Sequence, residues 1–187
     1  MKKIFLLVAL TVMSVAASLP ASADIQLFGG NPLLDAIKSN DAEKVQSLLN
    51  RGEFIEVEDF DGRTPLIYAA SLGNADIVER LIKRRAELNH RDSLGNSALF
   101  YAASQNNGDA LDILLEAGAD KNLENRQGVT PLMAAASQGH VNSVQLLLAK
   151  GADAKRRDYT GRTALMWAEW SRKSDVVRVL KNAGVRE

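Results

Sequence analysis

Cysteine is missing altogether from this 187-residue chain. Its absence excludes disulfides, thiol nucleophiles, thiolate zinc sites, iron–sulfur clusters and a lipid anchor on an N-terminal cysteine. A net charge is missing too, because 23 basic residues meet 23 acidic ones. The chain as a whole therefore offers nucleic acid no electrostatic attraction. Long hydrophobic runs are also lacking. The longest, Ile4 to Ala17, spans 14 residues and is interrupted by Thr11 and Ser14, whereas a membrane-crossing helix needs about 20 apolar residues. What remains, 46% hydrophobic and 25% charged, is the composition of an ordinary globular protein, not of a disordered or collagenous one.

The start of the chain reads as an address. Met1-Lys2-Lys3 is a short basic opening, the apolar run follows, and Ser18-Leu19-Pro20-Ala21-Ser22-Ala23 ends in a small-x-small site. This is the pattern of a secretory signal peptide over 1–23, cleaved after Ala23. The expected location is periplasmic or secreted, with no membrane insertion after cleavage. Losing Lys2 and Lys3 leaves 21 basic and 23 acidic residues, unevenly spread. Asp24 to Ile82 carries 5 basic and 11 acidic residues, and Lys150 to Glu187 carries 10 basic and 5 acidic.

Self-comparison organises the rest. Gly29, Gly62, Gly95, Gly128 and Gly161 recur every 33 residues without insertion or deletion. Each is followed by a matching triplet: Asn31-Pro32-Leu33, Thr64-Pro65-Leu66, Ser97-Ala98-Leu99, Thr130-Pro131-Leu132 and Thr163-Ala164-Leu165. Later columns repeat as Val45, Val78, Leu111, Val144, Val177 and as Leu48, Leu81, Leu114, Leu147, Leu180. Within a unit, Thr or Ser caps a short Ala-rich helix, with Pro in its first turn where a missing N–H costs nothing. A turn at Gly73, Asn106 or Gly139 leads to a second helix with apolar residues at i, i+3 and i+4, such as Val78, Leu81 and Ile82. Gly118 and Gly151 end that helix. About ten polar residues then lead to the next unit.

Thr-Pro-Leu-x-x-Ala-Ala, the Gly139-His140 step and the Leu114 to Asp120 run resemble the ankyrin repeat, whose period is the same. The resemblance covers 29–187. It implies an all-α repeat solenoid of five units, at about 29–61, 62–94, 95–127, 128–160 and 161–187, forming one domain over 24–187. Two departures stand out. Ile67, Phe100, Met133 and Met166 replace the motif's usual His, removing its bond between repeats, and Arg172 occupies a turn column otherwise filled by Gly or Asn. At the ends, Lys181 takes the column of Ile82, Leu115 and Leu148, and Lys44 and Ser39 dilute the first unit, as capping repeats require.

No catalytic constellation is present: there is no phosphate-cradling glycine loop, no HExxH and no nucleophile elbow. Of the two histidines, His140 is expected to pack at the start of a second helix, and His90 to sit in an inter-repeat turn as a solvated or hairpin residue. Asp59, Asp92 and Asp158 are expected to shape those turns through local hydrogen bonds to the backbone. The acidic cluster Glu56, Glu58, Asp59 and Asp61 lacks calcium-loop spacing. Hence no enzyme activity, cofactor or metal is expected.

The resemblance implies protein binding through hairpin tips and the inner-helix face. Carried onto this chain, the contact residues are Phe60, Asp61, Arg63, Tyr68, Leu94, Tyr101, Arg126, Tyr159, Arg162, Trp167 and Trp170. Tyr68, Tyr101 and Trp167 read equally well as half-buried packing residues. The expected protein is a monomeric accessory, chaperone-like or inhibitory binder of another exported protein. A secreted effector acting on a host protein is the alternative, and an enzyme a remote one.

Overall fold

The computed structural model describes residues 31–185, so the expected signal peptide over 1–23 and Gly29 lie outside the described residues. Ten helices among the described residues fall into five pairs, one pair per 33-residue unit. They are α1 (Pro32–Lys38) with α2 (Ala42–Asn50), α3 (Pro65–Leu72) with α4 (Ala75–Lys83), and α5 (Ala98–Ser104) with α6 (Gly108–Glu116). Then come α7 (Pro131–Gln138) with α8 (Val141–Ala149), and α9 (Ala164–Trp170) with α10 (Ser174–Asn182). The odd-numbered helices pack on one another in chain order as an inner layer. The even-numbered helices do the same outside, giving an all-α solenoid.

Local chemistry sets each pair. The side chains of Asn31, Thr64, Ser97, Thr130 and Thr163 accept amide hydrogens from the first turn of their helices, the N-cap expected of these residues. Ala69, Ala70, Ala102, Ala103, Ala135, Ala136 and Ala168 are buried between inner helices, where a larger side chain would force neighbours apart. Leu81, Leu114, Leu147 and Leu180 are fully buried along the outer layer, each contributing about 1.5–3 kcal/mol by leaving water. The neighbouring column is shallower than its sequence suggests. Ile82, Leu115 and Leu148 are only half-buried, so exposed Lys181 ends an edge column and not a core one; it pairs with Glu169 at 2.9 Å.

The turn inside each pair needs a left-handed residue. Gly73 and Gly139 supply it at φ 77° and 88°, while Asn40, Asn106 and Arg172 adopt φ 54°, 59° and 57°. The unusual column at Arg172 thus keeps the turn and accepts the steric cost of a Cβ in that region. Repeats are tied together beside these turns, at the other end of the inner helices from the column that lacks the motif's His. Asn107 Nδ2 donates to the carbonyls of Ala70 and Ser71, both at 2.9 Å, and His140 Nε2 bonds the carbonyl of Ser104 at 3.0 Å. His140 packs at the start of α8 as expected. His90 is the hairpin residue of the two expected readings and not the solvated one: it is half-buried and bonds the carbonyl of Gly62, in the preceding tip, at 3.0 Å.

Candidate functional site

The long connections between pairs fold into hairpin-like tips above the inner helices. In each tip one side chain does the bending. Asp59 Oδ1 accepts the amides of Asp61 and Arg63, Asp92 those of Leu94 and Asn96, and Asp158 those of Thr160 and Arg162. Asp at this position was legible in the sequence. What the second oxygen does was not. Tyr68 donates its hydroxyl to Asp59 Oδ2 at 2.5 Å, Tyr101 to Asp92 Oδ2 at 2.6 Å, and the Trp167 indole N–H to Asp158 Oδ2 at 2.9 Å. Three of the expected contact residues are thereby held half-buried against the inner helices, each nine residues after its aspartate. The sequence carried that signal as a repeated Asp-to-aromatic spacing.

The third tip departs from this arrangement. Asn125 accepts the amides of Gln127 and Val129, but its Nδ2 donates to Asn96 Oδ1 at 3.0 Å, in buried surroundings. Nine residues on stands Ala134, so no ring occupies this place. Tyr68 and Tyr101 therefore lie on one side of a ringless unit, with Trp167 and Trp170 on the other.

Electrostatics follow from these contacts. Burial would raise the Asp59 pKa, but the bonds from Tyr68, Arg63 and Asp61 outweigh it and hold the carboxyl below its ordinary value. Burial acts likewise on Asp158 and is outweighed by Thr160, the Arg162 amide and Trp167, again lowering the pKa. Burial and the bond to Asp92 push the Tyr101 phenol up.

Successive tips are laced by the backbone. The amide of Ser93 donates to Asp61, that of Arg126 to Leu94 and that of Tyr159 to Gln127, at 2.8, 3.1 and 3.1 Å. The expected tip residues thus form one continuous row. Arg63 reaches from the first tip to the second, with its Nε 3.7 Å from Asp92 Oδ2 and its guanidinium over the Tyr101 ring. Tyr159 lies across the preceding tip: a Cβ on Gly128 would stand 2.6 Å from its ring. Arg162 sits over both Trp167 and Trp170 at 4.9 and 5.0 Å, and the two indoles meet edge to face at 5.4 Å. Asp61 and Arg126 are exposed along the row.

Among the described residues, the most exposed large hydrophobic side chains are Phe54, Phe60, Leu72, Leu94, Tyr159 and Trp170. Phe60, Leu94 and Tyr159 stand on tips. Leu72 and Trp170 lie one helical turn beyond Tyr68 and Trp167, on the same helix faces. Phe54 is the exception, in the stretch that leaves α2. Leu72 shares the inner-helix column pattern, and its exposure came from the structure.

The family model for ankyrin repeats (3 copies) matches residues 13–92, 33–125 and 99–186. No curated protein matches the chain.

Proposed function

Because the chain belongs to the ankyrin-repeat family, a family of protein-interaction modules, we propose that it binds another exported protein as an accessory, chaperone-like or inhibitory factor, without catalysing a reaction. One observation carries this reading: among the described residues, five of the six most exposed large hydrophobic side chains share the face made by the tips and inner helices. An apolar patch gathered on one face of a folded chain marks an interaction surface. Tyr, Trp and Arg, which dominate binding hot spots, cluster at its C-terminal end as Tyr159, Arg162, Trp167 and Trp170. The basic opening, short apolar run and small-x-small ending of residues 1–23 support export to the periplasm, with the mature chain starting at Asp24.

The test is affinity capture from periplasmic extract followed by mass spectrometry. Tyr159→Ala combined with Trp170→Ala removes two exposed rings and is expected to abolish capture while the melting curve stays nearly unchanged. A double variant that remains folded and still captures its partner would place the interface elsewhere.

A further inference from the structure

The two ends of the tip row carry opposite charge beside the same kind of apolar group. At the first tip Phe60 is fully exposed, next to exposed Asp61. No cation among the described residues stands within ion-pair distance of the Asp61 carboxylate. At the last tip the Arg162 guanidinium rests on two indoles and likewise has no carboxylate within ion-pair distance among the described residues, while Tyr159 and Trp170 stand exposed beside it. Between the ends, exposed Leu94 on the second tip is followed by exposed Arg126 on the third.

Turned end for end, this row becomes its own complement. We propose that its occupant is a second copy of the chain. Two molecules pair antiparallel along their tip rows, about a two-fold axis between the second and third tips. Asp61 of each copy faces Arg162 of the other, Phe60 lies against the Tyr159 and Trp170 rings, and Leu94 covers the aliphatic stem of Arg126. Each contact occurs twice, as an isologous interface requires. The charge asymmetry of the chain, acidic over 24–82 and basic over 150–187, points the same way. Antiparallel pairing sets unlike halves against each other, whereas parallel pairing sets like against like. This departs from the monomer expected from the sequence. It rests on the reading of this face as the binding face and adds regulation to it, since a different protein must displace the second copy to bind.

Sedimentation velocity of the purified protein from about 5 to about 200 μM tests the pairing. The dimer fraction is expected to rise with concentration at low salt and to fall in about 0.5 M NaCl, which screens exposed charges. Asp61→Arg and Arg162→Glu are each expected to weaken dimerisation about tenfold or more, because each sets like charges together twice. Mixed in equal amounts, the two variants face each other with opposite charges, and dimers return. Phe60→Ser, at a fully exposed side chain, weakens pairing without touching the fold and serves if Arg162→Glu proves unstable. A chain that stays monomeric throughout, a dimer indifferent to Asp61→Arg, or folded variants that fail to recover on mixing would each overturn the proposal. Capture of an exported protein by the monomeric Asp61→Arg chain, lost in Tyr159→Ala with Trp170→Ala, would leave the function standing without the dimer.

Discussion

The second and third tips fold to nearly the same shape by different chemistry. At Asp92 a buried carboxylate accepts two amides with one oxygen and the Tyr101 hydroxyl with the other, and Arg63 lies close by. At Asn125 a neutral amide accepts the same two amides but donates sideways into the neighbouring tip, with only Ala134 below it. The backbone needs just the shared oxygen. The other side-chain atom is free to be used for something else: three tips use it to fix an aromatic ring, and one to fasten itself to the tip before it. Aspartate there is therefore a device for orienting rings as well as for turning the chain.

The sharpest way to break the comparison is to delete both acceptors. Asp92→Ala leaves two amides, a phenol and a guanidinium short of a partner in a mostly buried place, and is expected to cost about 3 kcal/mol in urea denaturation. Asn125→Ala removes a neutral group with fewer partners and should cost about 2 kcal/mol. Equal losses would mean that the charge and the ring add nothing.

A smaller effect comes from imposing the common chemistry on the unusual tip. Asn125→Asp sets a carboxylate oxygen against Asn96 Oδ1, two acceptors in contact, at a cost of about 1–2 kcal/mol. Adding Ala134→Tyr supplies the missing donor, and the double variant should recover about 0.5–1 kcal/mol of that loss in a double-mutant cycle. Strict additivity would show that the ring and the acid are not coupled at this position.

The smallest and most selective effect is in the last tip. Trp167→Phe keeps a ring but loses its N–H, and should cost about 1 kcal/mol at pH 7. The folded Asp158 pKa lies below its unfolded value, so the stability it contributes is complete above about pH 4. That stability disappears as pH falls through the lower, folded value. The gap between variant and parent should accordingly hold from pH 7 down to about pH 4 and narrow only below it, measured by chemical denaturation across that range. A gap that is constant down to the lowest pH would assign the loss to packing.

The architecture was readable because a 33-residue period overdetermines it. Thr and Ser caps, Gly turns and the leucine column all fall in one register, and the structure places them where that register requires. The tips were half readable. Asp at 59, 92 and 158 announces a turn through local bonds, whereas its tie to Tyr68, Tyr101 or Trp167 depends on the tip folding back over the inner helix, a tertiary fact. His90 was left between a solvated and a hairpin residue because its partner, the Gly62 carbonyl, belongs to the preceding tip, 28 residues away. The edge character of the Ile82, Leu115 and Leu148 column was hidden for a related reason: helical periodicity gives the direction of a side chain, and the neighbouring unit decides how deeply it is covered.

Both tryptophans of the chain, Trp167 and Trp170, sit in the final repeat. Intrinsic fluorescence is therefore a local gauge in this molecule, while circular dichroism averages over all ten described helices. In a linear array each repeat holds only to its neighbours, and unravelling can begin at one end. If the C-terminal unit opens first, the emission will shift at a lower urea concentration than the ellipticity falls. Coincident curves would mean that the stack opens as one. The protein thus carries its own optical clock for which end comes apart first.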